Sequence, residues 1–315
     1  MMLYIFGAVA GVLAMAVLAA WLVPQAERRP LDDTARAELE TEGHRFVRLS
    51  GGYTHFEGTG PPDGCPVVLV HGFSSPMFIW DHQVAALAGA GFHVLRYDLY
   101  GRGYSDRPAG CYDEDRFDRQ LLDLLDSQHL HGPVDLIGLS MGGAIAVHFT
   151  DRHPERVRRL GLIAPAGMMS LPAASKLLLV PGLGWWILRV FGDGIITRQM
   201  PRGLAGDTDC LHRFVSAYEQ QLRFRGYKRS LQNSMKNYDL AHMDPVYRRV
   251  GQQRGRTGIL LWGTADTVVD YGLHERVRGY IPWLTFHPVP GGGHATNYAD
   301  ASQVNPALVA FLRQT

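Results

Sequence analysis

Val134-Asp135-Leu136-Ile137-Gly138-Leu139-Ser140-Met141-Gly142-Gly143-Ala144 is the stretch on which the fold turns. It begins as a short apolar run, passes through Gly-x-Ser-x-Gly, and continues into small and apolar residues with helical spacing (141–150). A strand that feeds a helix through so tight a turn needs glycine on both sides of the serine, and the turn lifts the hydroxyl clear of the sheet. The same five letters without a strand in front would mean little, and a serine here could simply cap the helix. The strand–turn–helix context makes Ser140 the candidate nucleophile.

Outward from this stretch, apolar runs and helical patterns alternate. Strands are expected at 44–50 and 52–58, joined at Gly51-Gly52, and then at 66–70, 92–97, 134–139, 157–164, 258–262 and 285–289. Helices are expected at 80–90, 116–130, after Ser140, and at 303–313. Short continuous apolar strands separated by helices imply a mostly parallel sheet covered on both faces, an α/β architecture. Residues 168–252 break the rhythm: they hold helical segments but no convincing strand, and they read as a helical cap over the carboxyl edge of the sheet. The division is thus 1–23, 24–43, a core of 44–167 with 253–315, and the cap between.

Serine is a weak nucleophile until a base takes its proton. His294 follows the last strand on the loop Gly291-Gly292-Gly293, where an imidazole can reach a neighbouring strand end and titrate near neutral pH. An acid must fix its tautomer. Asp266, just past the strand ending at Gly263, is preferred, with Asp270 four residues on as its rival. The chain order Ser, Asp, His is the order this architecture uses.

With these motifs in place, residues 44–314 resemble the α/β-hydrolase superfamily. His71-Gly72-Phe73 resembles that family's oxyanion loop, which implies that the backbone N–H groups of Phe73 and Met141 hold the oxyanion. Asp98-Leu99-Tyr100-Gly101-Arg102-Gly103-Tyr104-Ser105-Asp106-Arg107-Pro108 resembles a structural turn of the family. One departure stands out: where many relatives continue from the histidine to Glu-Pro, this chain reads His294-Ala295-Thr296-Asn297-Tyr298. Family members that dehalogenate or open epoxides carry aspartate where Ser140 stands. Acyl transfer to water through an acyl-enzyme therefore leads, as in carboxylesterases and lipases, with no cofactor and no metal. A carbon–carbon bond hydrolase of ring-cleavage products and a non-catalytic binding module are the alternatives.

Residues 1–23, MMLYIFGAVAGVLAMAVLAAWLV, carry no charged side chain. As a helix they would span roughly 30 Å, the hydrocarbon thickness of a bilayer. A cleaved secretory signal would show a basic start and a shorter apolar core. A single-pass anchor in a bacterial inner membrane is expected. Arg28, Arg29 and Arg36 pull toward a cytoplasmic domain, but so few charges leave both orientations open. Gly7 and Gly11 have the spacing at which two membrane helices approach closely, so a homodimer through this helix is a weaker expectation. The apolar cap segment 176–188 and the anchor together make the chain resemble membrane-bound bacterial lipid hydrolases of the monoacylglycerol lipase, lysophospholipase and phospholipase A kind. That resemblance implies a lipid ester substrate. The same segment could equally pack the cap against the sheet.

Composition excludes other classes. The chain is 46% hydrophobic and 19% charged with a net charge of +1, which gives no basic field for a nucleic acid. Three scattered cysteines, Cys65, Cys111 and Cys210, allow one disulfide at most.

Overall fold

Apolar runs that read as strands do so because most of them are covered on both faces. The computed structural model describes residues 21–23, 25–169, 173–199 and 208–314, with isolated positions between 6 and 18. The first half of the chain gives α1 (Asp33–Thr41), β1 (Arg45–Leu49), β2 (Gly52–Thr59), β3 (Pro66–Val70), α2 (Asp81–Gly89) and β4 (His93–Tyr97). Next come α3 (Glu114–Ser127), β5 (Val134–Leu139), α4 (Met141–Arg152) and β6 (Val157–Ile163). Then follow α5 (Ala173–Lys176), α6 (Leu183–Gln199), α7 (Thr208–Leu222), α8 (Tyr227–Asn237) and α9 (Asp244–Gly251). The chain closes with β7 (Thr257–Gly263), α10 (Leu273–Tyr280), β8 (Leu284–Val289), α11 (Thr296–Ala299) and α12 (Ala301–Leu312).

The strands form one sheet in the order β1-β2-β4-β3-β5-β6-β7-β8. β1, β2 and β4 pair antiparallel, and every pairing from β4 to β8 is parallel. From β3 the chain first steps one way, to β4, and then crosses back to β5 on the other side. The reversal falls between β3 and β5, and ligands of open α/β sheets bind at the carboxyl ends of strands at such a point. His71 follows β3 and Ser140 follows β5, so the topology itself brings these two segments together.

β5 is buried along its whole length. Val134 and Leu136 point into one core with Phe117, Leu121, Leu124 and Leu125 of α3 and Val147 and Phe149 of α4. Ile137 and Leu139 point into the other with Trp80, Val84 and Leu87 near α2 and with Val304, Leu308 and Phe311 of α12. This is the two-residue period of a strand dividing its side chains between two faces.

No strand lies among the described residues between β6 and β7, where α5 to α9 are inserted. Of these, α9 sets Val246, Tyr247 and Val250 into the core beside α4. Asp32 caps α1, its Oδ1 accepting the Ala35 N–H at 3.0 Å, and Ala35 and Leu39 pack on Phe224 at the end of the cap helix α7. The polar stretch after residue 24 is therefore a strap laid on the cap, followed by a helix. Among the described residues no helix is long and apolar enough to cross a membrane. Most of the run 1–23, Gly7 included, lies outside those residues. Cys65 and Cys111 are exposed and free, and Cys210 is buried.

Candidate active site

Ser140 sits between β5 and α4 with φ 55° and ψ −119°, a left-handed backbone that costs a side-chain-bearing residue about 1–3 kcal/mol. Neighbours hold it there. Its N–H donates to the Ile163 carbonyl at 2.9 Å, and its carbonyl accepts from Gly143 at 2.9 Å and Ala166 at 3.0 Å. The flanking glycines follow from close approach. A Cβ on Gly138 would overlap the Gly142 carbonyl, and one on Gly142 would overlap the Val70 carbonyl of β3. Ser140 is 9% exposed, so its neighbours enclose nearly all of it.

The β7 and β8 loops press together just as closely. Ala265 donates to the Gly292 carbonyl at 2.9 Å, and Gly291 donates to Thr264 Oγ1 at 2.9 Å. This sets His294 Nδ1 2.8 Å from Asp266 Oδ2. The other Asp266 oxygen is occupied, accepting the N–H groups of Val268 at 2.8 Å and Val269 at 3.1 Å. A carboxylate only accepts, so Nδ1 carries the hydrogen and Nε2 keeps its lone pair for a proton. Asp270 is exposed and its Oδ1 takes the Gly272 N–H at 2.8 Å in a local turn. Among the described residues the Ser140 hydroxyl has no hydrogen bond to His294, a link that commonly closes only around substrate. Asp266→Asn should lower the acylation rate by about 10³–10⁴-fold, because an amide favours the wrong tautomer. Asp270→Asn should change it less than about twofold, and stopped-flow acylation of both variants compares them.

The segment after His294, where the Glu-Pro pair is missing, is tied down another way. Asn297 Nδ2 donates to the Ile79 carbonyl at 2.8 Å, and its own carbonyl accepts from Gln83 of α2 at 2.7 Å. Thr296 Oγ1 donates to Asp300 at 2.9 Å.

Phe73 and Met141 lie at the ends of β3 and β5, and among the described residues neither N–H donates to a protein acceptor. A Cβ on Gly72 would come within 3.3 Å of Ser140 Cβ, so the loop lies directly against the serine. His71, fully buried, sets its direction. Leu99 N–H donates to His71 Nε2 at 2.9 Å, which leaves Nδ1–H to donate to the Gly72 carbonyl at 2.8 Å. That carbonyl belongs to the same peptide unit as the Phe73 N–H, and the two point in opposite directions across a planar amide. Pinning one aims the other.

Burial pushes the His71 imidazole down to about 4, against a weaker upward pull from Asp98. Protonation would also turn Nε2 into a donor facing the Leu99 N–H. A base with a folded value below its unfolded one stabilises the protein above the unfolded value and loses that stability as pH falls. His71 should thus remove on the order of 3 kcal/mol between pH 6.5 and 4. His44 and His148 are also pulled down by burial and act with the same sign. Urea titrations at each pH isolate His71 by the difference between wild type and His71→Gln, whose stability should be flatter over that window.

Asp98 and Arg102, both within the structural turn 98–108, and His55, which no motif singled out, complete the frame. Asp98 is fully buried, and burial would raise its carboxyl. The adjacent His55, with Nδ1 2.6 Å from Asp98 Oδ2, instead holds it below the usual range. Asp98 also accepts from Met77 at 2.8 Å and Tyr104 at 2.9 Å, fixing the loops beneath the site. Arg102, equally buried, donates to the Phe73 carbonyl at 2.8 Å and to Ser234 of α8 at 2.9 Å.

The sequence pattern of the alpha/beta hydrolase family matches residues 67–307. The chain is 38% identical over 269 residues to a putative non-heme chloroperoxidase of Synechocystis, covering 79% of this chain and 92% of that one. It is 29% identical over 272 residues to the dihydrolipoyllysine-residue acetyltransferase component of the acetoin cleaving system of Pseudomonas putida. That match covers 81% of this chain and 65% of the relative's length. The enol-lactonase of Burkholderia xenovorans LB400 superposes with a TM-score of 0.73 at 22% identity, covering 86% of this chain and 100% of that structure.

Proposed function

Because the chain belongs to the alpha/beta hydrolase family, we propose that it is a serine ester hydrolase acting through an acyl-enzyme. The observation that carries this reading is the Asp266–His294 hydrogen bond, in a chain whose Ser140 is held at positive φ at the end of β5. Ser140 Oγ attacks the ester carbonyl and forms a C–O bond, while His294 Nε2 takes the hydroxyl proton. The oxyanion is received by the Phe73 and Met141 N–H groups. Collapse breaks the bond to the alcohol, which leaves with the proton from His294. Water activated by His294 then releases the acid.

The substrate proposed is a lipid ester at a membrane, reached by a protein anchored through residues 1–23. Support comes from the cap. Leu177, Val180, Leu183, Trp185 and Phe191 are 42–52% exposed, whereas Leu188 between them is buried at 9%. Among these described residues only Leu188 is enclosed while the others stay half-exposed, and exposed apolar patches of this kind mark interaction sites. Graded acyl esters and lysophospholipids test the reading with purified full chain. The rate should rise by at least about tenfold from short to long acyl chains, the effect of burying a few methylenes. Activity confined to short soluble esters would remove the lipid. Cleavage of a ring-fission diketone with all esters untouched would replace ester hydrolysis by carbon–carbon bond hydrolysis.

A further inference from the structure

Where the apolar N-terminal run ends, the chain crosses the cap and borders an open cleft of about 890 Å³ that Ser140, Asp266 and His294 do not line. The strap is fastened on both sides of it. Gln25 Nε2 donates to the Arg189 carbonyl at 2.7 Å, and Ala26 N–H donates to Asp193 Oδ2 at 2.9 Å. The Glu27 carboxylate accepts the N–H groups of Gly226 at 3.2 Å and Lys228 at 2.6 Å at the start of α8.

Its lining is part apolar, from Trp21, Leu22, Trp185 and Leu188, and part cationic, from Arg28, Arg189, Arg225 and Arg229, with the Arg189 guanidinium over the Trp21 ring at 5.9 Å. Lys228 also lines it, but its ammonium is neutralised by Asp193 at 2.8 Å, and the Glu27 charge faces helix N–H groups. Among the described residues none of the four arginines is paired with a carboxylate, unlike Arg29 with Glu38 or Arg36 with Asp106 nearby. Arg28, Arg225 and Arg229 are exposed and Arg189 half-buried, so their guanidinium groups are accessible, and guanidinium matches phosphate oxygens in pairs.

We propose that this cleft binds the phosphate of an anionic phospholipid, with the lipid's acyl chains lying along Trp21 and Trp185. The inference rests on reading residues 1–23 as a membrane anchor. The arginines stand just where that run gives way to polar chain, which is the depth of headgroup phosphates. A bound lipid would clamp strap, α6 and α8 as one unit.

The test uses full chain in nanodiscs of phosphatidylcholine alone or with about a third phosphatidylglycerol. Amide hydrogen exchange is read over 183–199 and 223–232. Phosphatidylglycerol should slow exchange there at least about fivefold, and both Arg225→Glu/Arg229→Glu and Arg28→Glu should erase the difference. Fluorophosphonate labelling of Ser140 in each variant reports that the fold persists. Equal exchange in both lipids overturns the site while leaving the anchor intact. Protection by inorganic phosphate in phosphatidylcholine nanodiscs overturns lipid as the source. Failure to enter either nanodisc overturns the anchor, and this proposal with it, without touching the hydrolase chemistry.

Discussion

Ser140→Ala should lower ester hydrolysis by about 10⁴–10⁶-fold, equivalent to roughly 5–8 kcal/mol of transition-state stabilisation. The residual rate would come from the Phe73 and Met141 N–H groups and from binding, which the substitution leaves in place. Fluorophosphonate should no longer add to the protein, read by intact mass. Retained labelling at full stoichiometry would move the nucleophile elsewhere. Ser140→Gly separates chemistry from stability. It should be as inactive as alanine yet more stable than wild type by about 1 kcal/mol, because glycine adopts φ 55° without the strain a Cβ brings. Thermal unfolding of the two variants gives that comparison.

The second large effect concerns a residue with no side chain. Gly142→Ala places a methyl group inside the Val70 carbonyl and 2.5 Å from the His71 carbonyl oxygen. Both are backbone atoms of the central strand β3 and its loop, and neither can rotate away. The helix α4 must then back off from the sheet, taking the Met141 N–H with it. A loss of at least about 3 kcal/mol is expected, with activity falling further than stability in whatever fraction folds. Gly279→Ala, on α10 with open space around it, is the control and should gain a few tenths of a kcal/mol. Equal tolerance at both positions would refute the close-approach account of Gly142.

The sequence was most legible where a local period or turn constraint decides conformation. Strands β3 to β7 showed as apolar runs because inner parallel strands are largely buried on both faces, and Gly51-Gly52 marked a tight hairpin. The turn at Ser140 was readable from glycines whose Cβ has nowhere to go. Asp266 and Asp270 have the same side chain four residues apart. Only the surrounding loops show that one faces His294 while the other closes its own turn. What stayed hidden depends on partners distant in sequence. The final helix was expected from 303 but begins at Ala301 behind a separate turn, because Asn297 is drawn toward Ile79 more than two hundred residues earlier. The roles of His71 and Asp98 rest on contacts with Leu99 and His55, which no periodicity announces. The strap at 25–29 is polar and aperiodic, so only the cap it lies on gives it a shape.

Arg102 ties together parts that a flexible cap would need to keep separate. Its guanidinium reaches the Phe73 carbonyl, the Tyr100 carbonyl and Ser234 of α8, and burial lowers its proton affinity to about 10, still charged at neutral pH. Pulling α8 away would strand that cation in a dry interior at a cost of several kcal/mol. Gln221, Tyr227 and Ser230 pin the same side of the cap to the core loops at Ser74 and Gly101. Among the described residues α6 shows no comparable fastening to the core, so breathing of the cap is expected to pivot about α8 and be carried by α6. In kinetic language, the proposed oxyanion donor at Phe73 would share a hinge post with the cap, so substrate would be expected to come and go on the α6 side while the Phe73 peptide stays clamped.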